Sequence, residues 1–317
     1  MTRMAELERR LRGAETLQSV TGAMKAIAAA RIRRSREAAG AAAAYHEVVE
    51  RGLQAALRDA GPAAFEALEA DPGGRSGLVV LGSNVGLAGP FNVALADFAA
   101  DRAAEAAGEG GAPPLVLAVG ARQEPLLEAR GLPPDRLLAA PDTPESLPFD
   151  AREILVTLDG WRAAGVERIA ILHQLQRSGI SCRPQEVRLL PVSPAWLEGL
   201  RDRPWPTRQI PSFRTDRRRL ISALVREHLL VTVVRALADA TAAEHASRLS
   251  AMTAAESRVE EHLSAMRQAH AGARQAAVDA ELLELTTGYE ALEGEPGRRN
   301  DGTADAGLAN PPGFGLG

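Results

Sequence analysis

Hydrophobic residues recur every three or four positions through the last third of the chain. Such steps place side chains on one side of an α-helix and do not match the alternation of a half-buried strand. No proline interrupts the segment from Arg217 to Leu292. We therefore predict one continuous helix there, about 110 Å long at 1.5 Å per residue. Its apolar stripe comprises Leu220, Leu224, Val231, Val234, Ala238, His245, Leu249, Met252, Leu263 and Met266.

The N-terminal segment from Met4 to Leu57 shows the same period and contains no proline. It predicts a second long amphipathic helix. The domain between the two helices cannot cover either stripe, so we expect the helices to pair as an antiparallel coiled coil. The apolar positions of the N-terminal stripe are Met4, Leu7, Leu11, Ala14, Leu17, Val20, Met24 and Ile27.

The middle of the chain has a different pattern, in which short apolar runs alternate with helical segments. Continuous apolar runs bounded by glycine or proline are typical of buried parallel strands. The order β-α-β-α-α-β-β predicts a Rossmann-like α/β domain with a mostly parallel sheet. The predicted strands are Leu78–Gly82, Leu115–Val119, Arg168–Leu175 and Glu186–Pro191, and the predicted helices are Asn92–Ala107, Gln123–Arg130 and Asp150–Ala164.

These patterns divide the chain into four parts. We predict an N-terminal coiled-coil helix over residues 1–58, a central α/β domain over 76–212 and a C-terminal coiled-coil helix over 213–292. Five prolines between Pro191 and Pro211 predict a loop that leads into the last helix. The composition of residues 293–317, rich in Gly, Pro, Asn and Asp, predicts a disordered tail.

Charge and cysteine content narrow the possible classes of protein. The net charge of −4 gives no general basis for nucleic-acid binding, and the single Cys182 is typical of a reducing compartment. The charged residues from Arg3 to Arg12 predict that no secretory signal is present. The uncharged stretch from Ser76 to Ala96 is interrupted by glycines and a proline, which favours a strand, a loop and a helix start over a membrane span. We expect a soluble protein.

Catalytic and cofactor motifs are not found. The loop Gly82–Gly89 lies between a predicted strand and a helix, but it fits neither G-x-G-x-x-G nor G-x-x-x-x-G-K-[ST], and Ser83 does not fit G-x-S-x-G. The histidines show no metal-ligand spacing, and His245 on the apolar stripe is predicted to pack. We therefore expect no catalytic residues, no cofactor and no metal.

The basic cluster from Arg31 to Arg36 leaves three interpretations open. It can be an exposed helix face, a contact with acidic loops of a partner protein, or a nucleic-acid contact. The last is disfavoured because no aromatic residues are interleaved with the arginines.

Three segments resemble the gamma subunits of F-type ATP synthases. Leu11–Met24, followed by Lys25–Ser35, is similar to the family's N-terminal helix, whose pattern is I-x-S-V-x-N-T-x-K-I-T-K-A-M and then a basic run. Ala273–Gly288 is similar to its closing signature A-R-Q-x-x-I-T-x-E-x-x-E-I-x-x-G-A, and Leu87–Asn92 occupies the place of G-L-C-G-x-x-N. Departures at Gly22, Ala88, Asp279 and Tyr289 suggest a divergent branch of the alternative-synthase type.

The resemblance implies a central rotor stalk that couples proton or sodium flow to conformational change at catalytic sites on beta subunits. The implied partners are a ring of alpha and beta subunits around the coil, with epsilon and the membrane c-ring at the foot. The chain would contact the membrane only through this complex, at the cytoplasmic face of the bacterial inner membrane. The implied contacts with beta and with the upper bearing are Met24, Lys25, Arg31, Arg33, Arg34, Arg274, Gln275, Asp279, Glu281 and Glu284.

Two other functions compete with this one. A Rossmann-like enzyme with helical arms would bind a small molecule at the Gly82–Gly89 loop. A coiled-coil scaffold would pair helices without rotation.

Overall fold

A computed structural model describes residues 2–58, 74–107, 112–177, 181–209 and 211–293. Apart from Glu293, the predicted tail lies outside these ranges. The chain forms two compact units, one of Met1–Gly13 with His262–Gly317 and the other of Ala14–Glu261. The elements are α1 (Thr2–Leu57), β1 (Arg75–Leu81), α2 (Phe91–Ala107), β2 (Leu115–Val119), α3 (Glu124–Glu128), β3 (Arg136–Leu138), α4 (Leu147–Ala163), β4 (Val166–Gln176), β5 (Cys182–Leu190), α5 (Pro194–Asp202) and α6 (Arg217–Glu293).

The five strands form one sheet in the order β3-β2-β1-β4-β5. The first four are parallel, and β5 pairs antiparallel with β4. Leu78 of β1 lies opposite Val116 of β2 and Ala170 of β4. The prediction of a mostly parallel α/β sheet is confirmed.

Both faces of the sheet are covered, which explains the uninterrupted apolar strands. Side chains alternate between faces along a strand. Leu78 and Val80 of β1 pack under α2 with Leu95 and Ala99. Val79 and Leu81 face the opposite side, where residues of α4 and α6 complete a second core. The central strands are therefore buried on both sides, as expected for parallel sheets.

Helix α6 supplies part of that second core. Val233, Leu237 and Ala240 are buried against the sheet with Ile169 and Ile171 of β4. The sheet thus covers one section of the C-terminal stripe, and the prediction that the domain could not cover this stripe is wrong for that section. This section of α6 is apolar on more than one side because it packs against both the sheet and α1.

Helices α1 and α6 pair antiparallel, as predicted. Within the Ala14–Glu261 unit, residue numbers fall on α6 as they rise on α1. Lys25 meets Glu256 at 2.6 Å, and His46 meets His228 at 2.9 Å. In the other unit, His270 of α6 lies 3.6 Å from Glu8 of α1.

The buried side of α1 follows steps of four and three without a break, the heptad spacing of a coiled-coil seam. Several seam positions are small or polar, so hydrophobicity alone does not mark them. The seam positions, buried or partly buried, are Ala14, Gln18, Thr21, Lys25, Ala28, Ile32, Ser35, Ala39, Ala42, His46, Val49, Leu53 and Ala56.

Helix α5 was not predicted, because the prolines around it indicated a loop. Pro194 occupies the first turn of the helix, where its missing N–H costs nothing. The Ser193 side chain caps the helix by accepting a hydrogen bond from the Trp196 N–H at 3.3 Å. Leu197 and Leu200 then pack with Leu53 at the end of α1. The strand β3 was also missed, since it has only three residues and is largely exposed.

Candidate partner-contact surfaces

One side of α1 carries apolar residues that nothing in the described chain covers. Leu17, Val20 and Ile27 are 57%, 47% and 53% exposed. The prediction that these residues share the stripe of Ala14 and face the other long helix is wrong. Each step of three falls about 60° short of a full turn, so the run from Ala14 to Val20 rotates away from the seam.

Met24 is partly buried between Val20 and Ile27, and at 100° per residue it shares their side of the helix. Arg31 and Arg34 continue the same side and are exposed. The structure therefore brings part of the predicted contact set onto one surface, an apolar strip that ends in guanidinium groups. We call this surface the outer face of α1, defined by Leu17, Val20, Met24, Ile27, Arg31 and Arg34.

Two predicted contact residues point elsewhere. Lys25 lies on the seam, where its ammonium group forms the ion pair with Glu256. Arg33 is exposed on another side of the helix and lies 3.6 Å from Glu37 one turn later. Lys25 is thus already engaged inside the coil, and the outer face does not include either residue.

A buried arginine of α6 joins the coil to the loop between β1 and α2. The Arg248 guanidinium donates to the Val85 carbonyl at 3.1 Å and pairs with Glu244 at 2.6 Å. Burial raises the pKa of Glu244, while Arg248 and then Arg31 oppose that rise. Ser247 donates to the Ala88 carbonyl at 2.7 Å. We call this arrangement the loop clamp.

The same loop was the candidate nucleotide or nucleophile site of the competing enzyme hypothesis. Several of its hydrogen-bonding groups already have partners within the fold. The Ser83 N–H donates to Asn92 Oδ1 at 3.0 Å, and the Ser83 hydroxyl donates to the Val85 carbonyl. Asn92 in turn donates to the Ser83 hydroxyl at 2.8 Å. The geometry is that of a tight turn packed on a helix rather than a phosphate cradle.

The last turns of α6 form a second uncovered surface, in the unit that contains His262–Gly317. Leu282, Leu283 and Leu285 are 57%, 67% and 66% exposed. All five residues predicted to contact partners here are exposed on the same segment, namely Arg274, Gln275, Asp279, Glu281 and Glu284. A helix with large apolar groups exposed on several sides indicates a surrounding partner.

Within the described ranges, no group of three or more His, Cys, Asp and Glu residues is arranged to hold a metal ion. No described helix is long and apolar enough to cross a membrane.

A family model described as ATP synthase matches residues 3–292. The chain belongs to the ATP synthase family.

The curated relatives are gamma chains of this family. The chain is 26% identical over 294 residues to the ATP synthase gamma chain of Symbiobacterium thermophilum, covering 91% of this chain and 98% of that one. It is 29% identical over 310 residues to the gamma chain of Granulibacter bethesdensis, covering 92% and 100%. The resemblance to gamma subunits, noted from three segments, is confirmed across nearly the whole chain.

Solved structures of ATP synthases share the fold. A chain in a structure of the Euglena gracilis mitochondrial enzyme, titled OSCP/F1/c-ring, has a TM-score of 0.65 at 14% identity, covering 96% of this chain and 99% of that one. A chain from the central stalk and c-ring of the Tetrahymena thermophila enzyme has a TM-score of 0.54 at 18% identity, covering 74% and 99%.

The outer face could have been predicted from the successive steps of three from Ala14 to Leu17 and Val20, which turn these residues away from the seam. The signal for Arg248 was weaker, since an arginine between His245 and Leu249 looks like any polar residue at the edge of a stripe. Its role depends on the loop from Gly82 to Gly89, which lies more than 150 residues earlier.

Proposed function

We propose that this member of the ATP synthase family is the gamma subunit, the central rotor stalk of an F-type ATP synthase. It couples proton or sodium flow through the membrane sector to conformational change at catalytic sites on beta subunits. The observation that carries the proposal is the family match over residues 3–292, together with curated gamma chains matched over almost their full lengths.

The two uncovered surfaces support this role. A shaft must present apolar and charged groups to the subunits that surround it. The outer face of α1 and the end of α6 do so. We assign the arginines of the outer face to acidic loops of beta, and the segment from Arg274 to Glu284 to the upper bearing. Alpha and beta would form the ring, and epsilon and the c-ring would meet the foot.

We also propose that the chain is not catalytic by itself and binds no cofactor. Support comes from the Gly82–Gly89 loop, whose Ala88 and Val85 carbonyls accept hydrogen bonds from Ser247 and Arg248 in the loop clamp. The chain would sit on the cytoplasmic face of the bacterial inner membrane, held there only through the complex.

Co-purification is the direct test of the stalk assignment. A tagged full-length chain, expressed in its own cell, should bring down ATPase alpha and beta subunits in fixed proportion. Recovery of the chain without either subunit, under conditions that preserve the complex, would contradict the assignment. Nucleotide binding by the isolated chain, abolished by Gly86→Arg, would instead favour the enzyme hypothesis.

Met24→Lys tests the outer face of α1. The added ammonium group would lie among Val20, Ile27 and Arg31, where it changes the charge and polarity of the surface that we assign to beta. We expect less ion pumping per ATP hydrolysed, in a complex that still assembles. Ala26→Lys is the matched control, because Ala26 is exposed two positions away on another side of the helix. Equal coupling in the two variants would remove Met24 from the contact.

A further inference from the structure

A cleft of about 360 Å³ opens in the α/β domain, away from the loop clamp and from the outer face of α1. It lies between the last turn of α2 and the amino end of β1, with β4 and β5 beside it. Cavities of this size accommodate small molecules. We call it the arginine cleft, because its charged lining includes Arg102, Arg168 and Arg188, together with Glu105 and Glu186.

Strand register places these groups side by side. Ser76 of β1 is paired with Arg168 of β4. Two residues further along β4, Ala170 is paired with Arg188 of β5. Leu78 lies opposite Ala170 and forms part of the floor. Because Ala170 is small, the floor leaves space below the last turn of α2.

The charged side chains of the cleft differ in the partners that they contact. Both carboxylates turn toward Arg102, with Glu105 at 2.5 Å and Glu186 at 3.9 Å. Arg168 donates from Nε to the Ser76 hydroxyl at 3.1 Å. Within the described part of the chain, the guanidinium group of Arg188 has neither an ion pair nor a hydrogen bond. The side chain of Arg188 is therefore the charged group of the cleft that remains available to a ligand.

Arg102 also has an unmet hydrogen bond. Its Nε is buried and has no acceptor among the described residues. A buried donor left unpaired is destabilising, so native structures usually supply an acceptor. Guanidinium groups in a shared cleft favour the oxygens of phosphate and carboxylate, which they bind by paired hydrogen bonds.

We propose that the arginine cleft binds a small-molecule oxyanion, a phosphate or carboxylate group with an apolar portion that lies on Leu78, Ala170 and Leu190. Arg188 holds the anion, and Arg168 and the Ser76 hydroxyl lie beside it. The proposal is independent of the rotor assignment, since it depends only on groups within the α/β domain.

Isothermal titration of the full-length chain tests the proposal, at constant ionic strength with chloride as the balancing ion. Inorganic phosphate and ADP probe the phosphate class, and succinate and hexanoate probe the carboxylate class. Saturable binding of at least one probe in the millimolar range or tighter is expected, and the class that saturates identifies the anion. If none of the four probes saturates below about 10 mM, the proposal is wrong.

Arg188→Ala should weaken the binding of the saturating probe about tenfold or more, because it removes a charged hydrogen-bond donor. Arg183→Ala is the matched control. Arg183 is an exposed arginine of the same strand that does not line the cleft. Both positions are exposed, so neither change should unfold the chain, and circular dichroism checks this. An equal loss of affinity in the two variants would show general charge attraction and would overturn the site.

Discussion

Replacing Arg248 with methionine tests the loop clamp. Methionine keeps an unbranched apolar stem but removes the guanidinium group that holds the loop carbonyls and neutralises Glu244. The side chains of Arg248 and Glu244 are only 10% and 13% exposed, so water cannot readily replace the lost partner. The prediction is a large loss of stability in the unit formed by Ala14–Glu261.

Two contributions set the size of the effect. The hydrogen bond to Val85 at 3.1 Å comes from a charged donor, and such a bond contributes about 1.5–3 kcal/mol. Removing one partner of a buried ion pair costs about 3–5 kcal/mol, because the other charge is left uncompensated. Arg31 lies near enough to act on Glu244 and offsets part of this. We expect Arg248→Met to lower the free energy of unfolding by at least about 3 kcal/mol.

The assay is urea unfolding of the full-length chain, followed by tryptophan fluorescence. All three tryptophans lie in the Ala14–Glu261 unit, so the signal reports on the unit that contains the clamp. Glu244→Gln in the Arg248→Met background removes the uncompensated charge and should recover at least half of the loss. A cost below about 1 kcal/mol for Arg248→Met, or no recovery in the double variant, would refute the reasoning.

Three further predictions concern titration, backbone conformation and packing. Burial lowers the pKa of His228 and of His245 from 6.5 to about 4, so the folded state favours the neutral form of both imidazoles. Stability should be fully present above pH 6.5 and should fall as the pH drops toward 4, by at most about 3 kcal/mol for each histidine. Gly120→Ala should cost more than about 2 kcal/mol, because φ is +98° and the new Cβ would lie 2.6 Å from the Ser83 nitrogen. Leu53→Ala should cost about 2–5 kcal/mol, because Leu53 is fully buried where α1 meets α5.

Each of these has a matched control. His228→Gln should flatten the decline of the unfolding midpoint between pH 6.5 and 4, and an unchanged slope would show that this histidine does not cause it. Gly131→Ala has a similar φ of +74° but open space around the new Cβ, so it should cost only about 1–2 kcal/mol. Val48→Ala, at a side chain 62% exposed on the same helix as Leu53, should change stability by less than about 0.5 kcal/mol. If control and test variants cost the same, the packing arguments fail.

Most secondary structure could be predicted because its signals are local. The run from Arg217 to Leu292 and its three-and-four period predicted a helix that ends within one residue of the observed Glu293. The apolar strands were identified for the same reason. Helix α5 is not predicted because a proline-rich stretch favours a loop. In the structure, Pro194 is the first residue of the helix, directly after the N-cap Ser193.

The contact surfaces were only partly predictable. The arginines at Arg31 and Arg34 were recognised as a cluster, and their role as partner contacts stays a prediction. Lys25 is another of the partner contacts implied by the resemblance, but its Glu256 partner lies 231 residues away. No local pattern links those two positions, and only the register of the coil brings them together.

The sequence by itself determined the two long helices, the α/β alternation between them and the resemblance to gamma subunits. Helix period, strand composition and motifs can be recognised from residues that are close together in the chain. The tertiary structure decided which side of each helix is buried. The seam of α1 runs through Gln18, Thr21 and Lys25, while Leu17 and Val20 stay exposed. A residue is buried by what packs against it rather than by its own hydrophobicity, and for α1 that neighbour is a helix from the opposite end of the chain.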